Sequence, residues 1–152
     1  MLAQEVINPL GTVTSGGAAI TNTATLLVNG ASSAGTTNYA LYVSSGLSQM
    51  ASLNLTGGLQ TNYQQHATAY TLQLSDYTIE LMASVSGGVT LPTAVGNTGK
   101  IFVIVNSYAG TNNVYTTSSQ NIGSGTYYTL TAQYKYIQVQ SNGTMWQIIA
   151  NN

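Results

Sequence analysis

Of the 152 residues in this chain, only 5 are charged, 2 Lys+Arg and 3 Asp+Glu, against 43% hydrophobic residues and 11 Tyr. Soluble domains devote about a quarter of their length to those four charged types, so the chain is short of charge by roughly eightfold. In their place stand 22 Thr, 15 Ser, 14 Asn and 11 Gln, and the composition is polar without being ionic.

This balance excludes several classes. Intrinsic disorder rests on high charge and low hydrophobicity, the reverse of what is found. Nucleic-acid binding by phosphate neutralisation needs clustered cations, and the only two, Lys100 and Lys135, are far apart in sequence. The longest aliphatic and aromatic run, Ile101-Phe102-Val103-Ile104-Val105, is far below the ~20 residues of a spanning helix, so no membrane insertion by a helix is expected. The opening Met1-Leu2-Ala3-Gln4-Glu5-Val6 lacks the basic and apolar regions of a signal peptide; if the protein acts outside a cell, either another route carries it there or the signal lies outside this sequence. Without cysteine, neither disulfides nor thiol chemistry contribute.

No segment places apolar residues at helical spacing opposite charges, and Thr, Asn, Ser, Gly and β-branched residues suit strands and turns, so the chain reads as all-β. Residues 1–62 are repetitive. Segments such as Thr25-Leu26-Leu27-Val28-Asn29-Gly30 and Tyr39-Ala40-Leu41-Tyr42-Val43 are short strands between Gly, Ser, Asn and Thr clusters. Strands this thin bury little surface alone, which predicts an intertwined shaft whose edges are paired by other copies of the chain.

Residues 63–152 read as a compact head. Tyr77, Ile79 and Leu81 alternate with Asp76, Thr78, Glu80 and Met82, a pattern that predicts both carboxylates on the solvent face. Val89-Thr90-Leu91 is a strand halted by Pro92, and Gly96-Asn97-Thr98-Gly99 turns into a buried strand from Lys100 to Asn106. Asn112-Asn113 and Gly123-Ser124-Gly125 are turns around Val114-Tyr115-Thr116. Tyr136 to Gln140 and Thr144 to Ala150, joined by the turn Ser141-Asn142-Gly143, form the clearest hairpin. Trp146 alternates with Ile148 and Ala150 on its last strand and is expected in the core, whereas Tyr134, Tyr136, Gln138 and Gln140 share a face that meets either solvent or another chain.

Catalytic patterns are weak. Asp76 and Glu80, four apart on one strand, would have α-carbons about 13 Å apart, an awkward span for a glycosidase pair within one chain, although neighbouring copies could bring acids closer. His66, the only histidine, has no Gly-x-Ser-x-Gly elbow to serve. Three copies of His66 around an axis would be a metal site, the single weak metal candidate; otherwise it is a neck residue. Gly96-Asn97-Thr98-Gly99-Lys100-Ile101 fails as a phosphate loop, because Ala94 replaces the first glycine and Ile101 the Ser or Thr. No cofactor is expected. Tyr108, Tyr115, Tyr127 and Tyr128, in or near turns rich in Asn, Thr and Gly, are the candidate receptor-binding residues, since Tyr supplies rigid amphipathic area beside adaptable hydrogen-bonding groups. The bland reading of each is a half-buried strand tyrosine.

Asp76-Tyr77-Thr78-Ile79, Val89-Thr90-Leu91-Pro92-Thr93-Ala94, Gly96-Asn97-Thr98-Gly99-Lys100, Tyr128-Thr129-Leu130 and the closing Gln140-Ser141-Asn142-Gly143-Thr144-Met145-Trp146-Gln147-Ile148-Ile149 together resemble a β domain found at the C-terminal tips of phage tail fibres and related viral fibre proteins. Leu27-Val28-Asn29-Gly30 and Asn38 to Gly46 resemble the shaft repeats that precede such tips. The resemblance implies a homotrimer on the virion surface, joined to the virion through its N-terminal end, with an antiparallel β-sandwich head that attaches to a host-surface glycan or protein. A purely structural decoration or filament subunit and a capsule polysaccharide depolymerase are the alternatives.

Overall fold

A computed structural model describes residues 52–152, which contain nine strands and no helix. One compact unit spans Leu55–Asn152. The shaft expected over residues 1–62 lies outside the described residues as far as 51, and from 52 to 62 the chain forms no strand and is exposed throughout.

The strands are β1 (Tyr63–His66), β2 (Tyr70–Thr71), β3 (Thr78–Leu81), β4 (Val89–Leu91), β5 (Ile101–Asn106), β6 (Asn112–Thr116), β7 (Tyr127–Leu130), β8 (Tyr136–Ser141) and β9 (Trp146–Asn151). Sheet A runs β1-β3-β5-β8-β9 and sheet B runs β2-β4-β6-β7. From β1 to β6 the chain visits the two sheets alternately, and every pairing among these six strands is parallel. The chain therefore winds as a flattened coil of three turns, each contributing one strand to either sheet. Parallel neighbours need a crossover connection, and here the strand of the opposite sheet supplies it where other folds use a helix. The last three strands reverse direction: β7 returns antiparallel along β6, and β8 and β9 extend sheet A antiparallel from β5.

The described unit is thus all-β with two mixed sheets, and the antiparallel arrangement expected from the sequence is corrected for β1 to β6. Period-two alternation places side chains on faces identically in parallel and antiparallel strands, so it is silent on direction. Only the hairpin through Asn142-Gly143 signalled direction, and there β8 and β9 are antiparallel as read. Its loop is Asn142–Met145. Asn142 Oδ1 accepts from the N–H of Thr144 at 3.0 Å and of Met145 at 2.9 Å, while Gly143 takes φ +92°. A β-carbon on Gly143 would lie 2.6 Å from Thr98 Oγ1, a second reason for glycine there.

The two sheets enclose one core: Leu72, Ile79, Leu81, Val89, Leu91, Phe102, Ile104, Val114, Leu130, Ile137, Val139 and Trp146 are all buried. Trp146 occupies its predicted interior place, its ring centroid 5.3 Å from that of Phe102 and its Nε1 donating to Pro92 O at 3.0 Å. A bulge between Gln138 and Val139 shifts the β8–β9 register, which leaves Ile149 without a cross-strand partner and 47% exposed. Two buried amides join loops to strands. Asn112 accepts the Val85 N–H at 2.8 Å and donates to Ala83 O at 3.0 Å and Asn106 Oδ1 at 2.8 Å, while Asn106 Nδ2 donates to Gly110 O and Ala132 O. Fully satisfied polar pairs of this kind fix a unique packing, because each group left unpaired in the interior would be costly.

Candidate functional site

Asp76 and Glu80 do not both face solvent. Asp76 is fully buried, because a turn closed by its N–H to Gln73 O at 3.0 Å precedes β3 and breaks the alternation. Its carboxylate accepts from Gln64 Nε2 at 2.8 Å, Tyr70 OH at 2.9 Å and the Gln73 N–H at 2.7 Å. Those donors belong to β1, β2 and the following connection, so one carboxylate ties the edge strands of both sheets together. Lys100 Nζ donates to the Asp76 carbonyl at 2.8 Å and stands 4.9 Å from the Phe102 centroid; burial lowers its pKa, opposed by the Asp76 charge. Burial, then the bond to Asp76, raises the Tyr70 pKa.

Glu80 lies half-buried on the outer face of sheet A and accepts from Ser107 Oγ, Tyr63 OH and, at 2.7 Å, Gln65 Nε2. These donors favour the ionised form and hold its pKa below the ordinary glutamate value, Ser107 contributing most. The same contact raises the Tyr63 pKa. With every carboxylate oxygen engaged in joining segments of the fold, this pair is organised as structural clasps. His66 stacks on Tyr70 with centroids 3.7 Å apart and bonds Gln64 Oε1 at 3.2 Å, and both of these neighbours donate to Asp76, so the imidazole meets that carboxylate indirectly. Among the described residues no three His, Cys, Asp or Glu side chains gather to hold a metal ion.

The four candidate tyrosines separate. Tyr115, Tyr127 and Tyr128 stand in strands β6 and β7, and only Tyr108 is in a loop, its ring over Gly110, where a β-carbon would come within 2.5 Å of it. Tyr128 pairs with Val114 on the inner face, packs against the core and receives Asn151 Nδ2 at 2.7 Å on its hydroxyl. Tyr115 and Tyr127 are brought together: they are register partners on the outer face of sheet B, with ring centroids 5.9 Å apart and planes tilted by 41°.

Parallel register extends this pair into a row. Thr71 is opposite Thr90, Thr90 opposite Tyr115, and Tyr115 opposite Tyr127, so the row crosses all four strands over about 14 Å at the usual strand spacing. Beside it lie Gly88, Asn113 and Thr129. The Tyr115 ring covers Gly88, since a β-carbon there would sit 2.7 Å from Cε2 and 2.4 Å from Asn113 O. Asn113 Nδ2 donates to Tyr115 OH at 3.1 Å, and Thr129 Oγ1 donates to Asn113 Oδ1 at 2.8 Å. Tyr115 is thereby held rigid while Tyr127 is 55% exposed. Gly88, Thr90, Asn113 and Thr129 were not singled out from the sequence; only the register, which residue spacing does not reveal, places them around the two rings.

Chemically the face offers two aromatic surfaces, several hydroxyls and an amide, and no charge. Compared with family models and with curated proteins, the chain matches none.

Proposed function

We propose that the protein is a non-enzymatic fibre component of a virion, a homotrimer whose head attaches the particle to a host-surface glycan or protein through the outer face of sheet B. The observation that carries this reading is the row Thr71–Thr90–Tyr115–Tyr127, a rigid aromatic and hydroxyl surface on regular strands with one ring largely exposed. Recognition surfaces favour Tyr beside small polar residues for their contact area at low entropic cost. The resemblance to fibre tips and the near-absence of charge agree with it, because copies meeting about an axis then bring few like charges together. The test is attachment: the full-length protein should bind host cells saturably and compete with virions, and Tyr127→Ala should weaken both. Absence of saturable binding, with virions attaching equally well without the protein, refutes it.

A structural subunit without receptor is the second reading, favoured by a different surface. On the outer face of sheet A the central strand β5 carries Ile101, Val103 and Val105, all half-buried aliphatics suited to contact with another copy. A depolymerase finds less support, since the Asp76 and Glu80 carboxylates are already engaged. Intact host polysaccharide after incubation with the protein would remove it.

A further inference from the structure

We infer that the Tyr115–Tyr127 face takes an uncharged saccharide and discriminates against anionic ones; this rests on the attachment reading and narrows its ligand. The C–H bonds on one face of a pyranose ring carry partial positive charge and pack on the electron-rich face of a tyrosine, while equatorial hydroxyls need donors and acceptors at the rim. The row supplies both. Tyr127 presents an exposed ring and Tyr115 a fixed one. Tyr115 OH already accepts from Asn113, so its own proton is left to donate to a ligand oxygen, and the Thr90 and Thr71 hydroxyls continue the rim along the row.

Electrostatics decides the class. A sialylated, uronic or sulfated chain buries an anion, which needs a cation or convergent donors to offset its desolvation. The two lysines are both elsewhere. Lys100 precedes β5 and donates to the Asp76 carbonyl, and Lys135 precedes β8 in the other sheet. Glu80 is on the outer face of sheet A and Asp76 is buried. No charged side chain stands on the row, so no cation there offsets an anion, and the donors present are single neutral hydroxyls spread along about 14 Å rather than converging on one point; nothing opposes a neutral sugar. A second copy of the chain is a poorer occupant, because the aliphatic outer face of β5 offers the better apolar contact.

The full-length protein on an array of uncharged and anionic glycans should bind members of the uncharged set, with affinity insensitive to added salt. Tyr127→Ala should reduce that affinity roughly tenfold and Tyr127→Phe should retain most of it, the loss following the ring rather than the hydroxyl. Preference for anionic glycans, binding to no uncharged glycan, or affinity unchanged in Tyr127→Ala each overturns the inference. If host cells are still bound saturably and Tyr127→Ala weakens that binding, attachment through this face stands and only the ligand class falls. If cell binding is also absent, the attachment reading falls as well.

Discussion

Replacing Asp76 by alanine tests the claim that one buried carboxylate clasps the first turn of the coil. The variant removes the acceptor for Gln64 Nε2, Tyr70 OH and the Gln73 N–H. A hydrogen bond to a charged group contributes about 1.5 to 3 kcal/mol. Gln64 and Tyr70 are only half-buried, and water can partly replace their lost partner, so the expected cost is one full contribution and two reduced ones, about 3 kcal/mol. With a slope of about 1 to 2 kcal/mol per molar urea for a domain of this size, the midpoint should fall by roughly 2 M. Asp76→Asn keeps the shape and one acceptor oxygen, and should lose about half as much. Trp146, the only tryptophan and fully buried, makes intrinsic fluorescence a direct reporter of this unit. Equal slopes for the variants and agreement between two protein concentrations would separate the local effect from any change in assembly. An Asp76→Ala midpoint within about 0.3 M of the parent, at unchanged slope, would refute the clasp.

Other expectations follow from contacts of the same kind. Asn112→Ala should cost about 2 to 4 kcal/mol, because it orphans the Val85 N–H and the Asn106 amide oxygen in the interior; thermal melting measures this. Trp146→Phe should cost less than Trp146→Ala, which leaves a cavity beside Phe102 and should lose about 3 to 5 kcal/mol. The Glu80 pKa is depressed in the folded protein, so its stabilising contribution is present above the ordinary glutamate pKa and is lost as pH falls through the depressed value. Urea midpoints measured at pH 6 and pH 3 should therefore converge in Glu80→Gln relative to the parent, and an unchanged difference would contradict the assignment. Gly88→Ala should displace the Tyr115 ring, visible as loss of its cross-strand contacts to Tyr127 in NMR spectra, since both the positive φ and the 2.4 Å approach to Asn113 O exclude a β-carbon.

Strands β3, β4, β5, β8 and β9 were legible because each combines alternating or continuous apolar residues with Gly, Asn or Pro punctuation at its ends. Strand β6 was legible only from Val114 to Thr116: Asn112 and Asn113, expected as a turn, are its first two residues and pair with Leu130 and Thr129. Strands β1 and β2 were not. Tyr63-Gln64-Gln65-His66 has no apolar alternation, and it is a strand because β3 offers it a backbone edge and Glu80 holds Tyr63 and Gln65 in place. The burial of Asp76 was hidden for a related reason, as its three donors come from other segments and no local pattern announces them. Four tyrosines were readable as candidates by type alone. Separating Tyr115 and Tyr127 from Tyr128 required knowing which faces of β6 and β7 look inward, and adding Thr71 and Thr90 required the parallel register. Information of that sort lies in long-range pairing, where the side-chain period of two says nothing about direction.

The coiled path governs how this unit comes apart. Tyr63 pairs with Thr78, 15 residues on, and Thr78 with Val103, 25 residues further, so each turn rests chiefly on the next. A stack built that way behaves nearly one-dimensionally, and its terminal layer opens at less cost than its middle. The β1–β2 layer is that terminal layer: β1 pairs only with β3 and β2 only with β4, whereas β5 is flanked by β3 and β8. Amide protons of Tyr63 to Thr71 should therefore exchange with solvent well before those of Phe102 to Val105, and a pulling force applied at Tyr63 would peel the coil one turn at a time before reaching the Tyr115–Tyr127 pair.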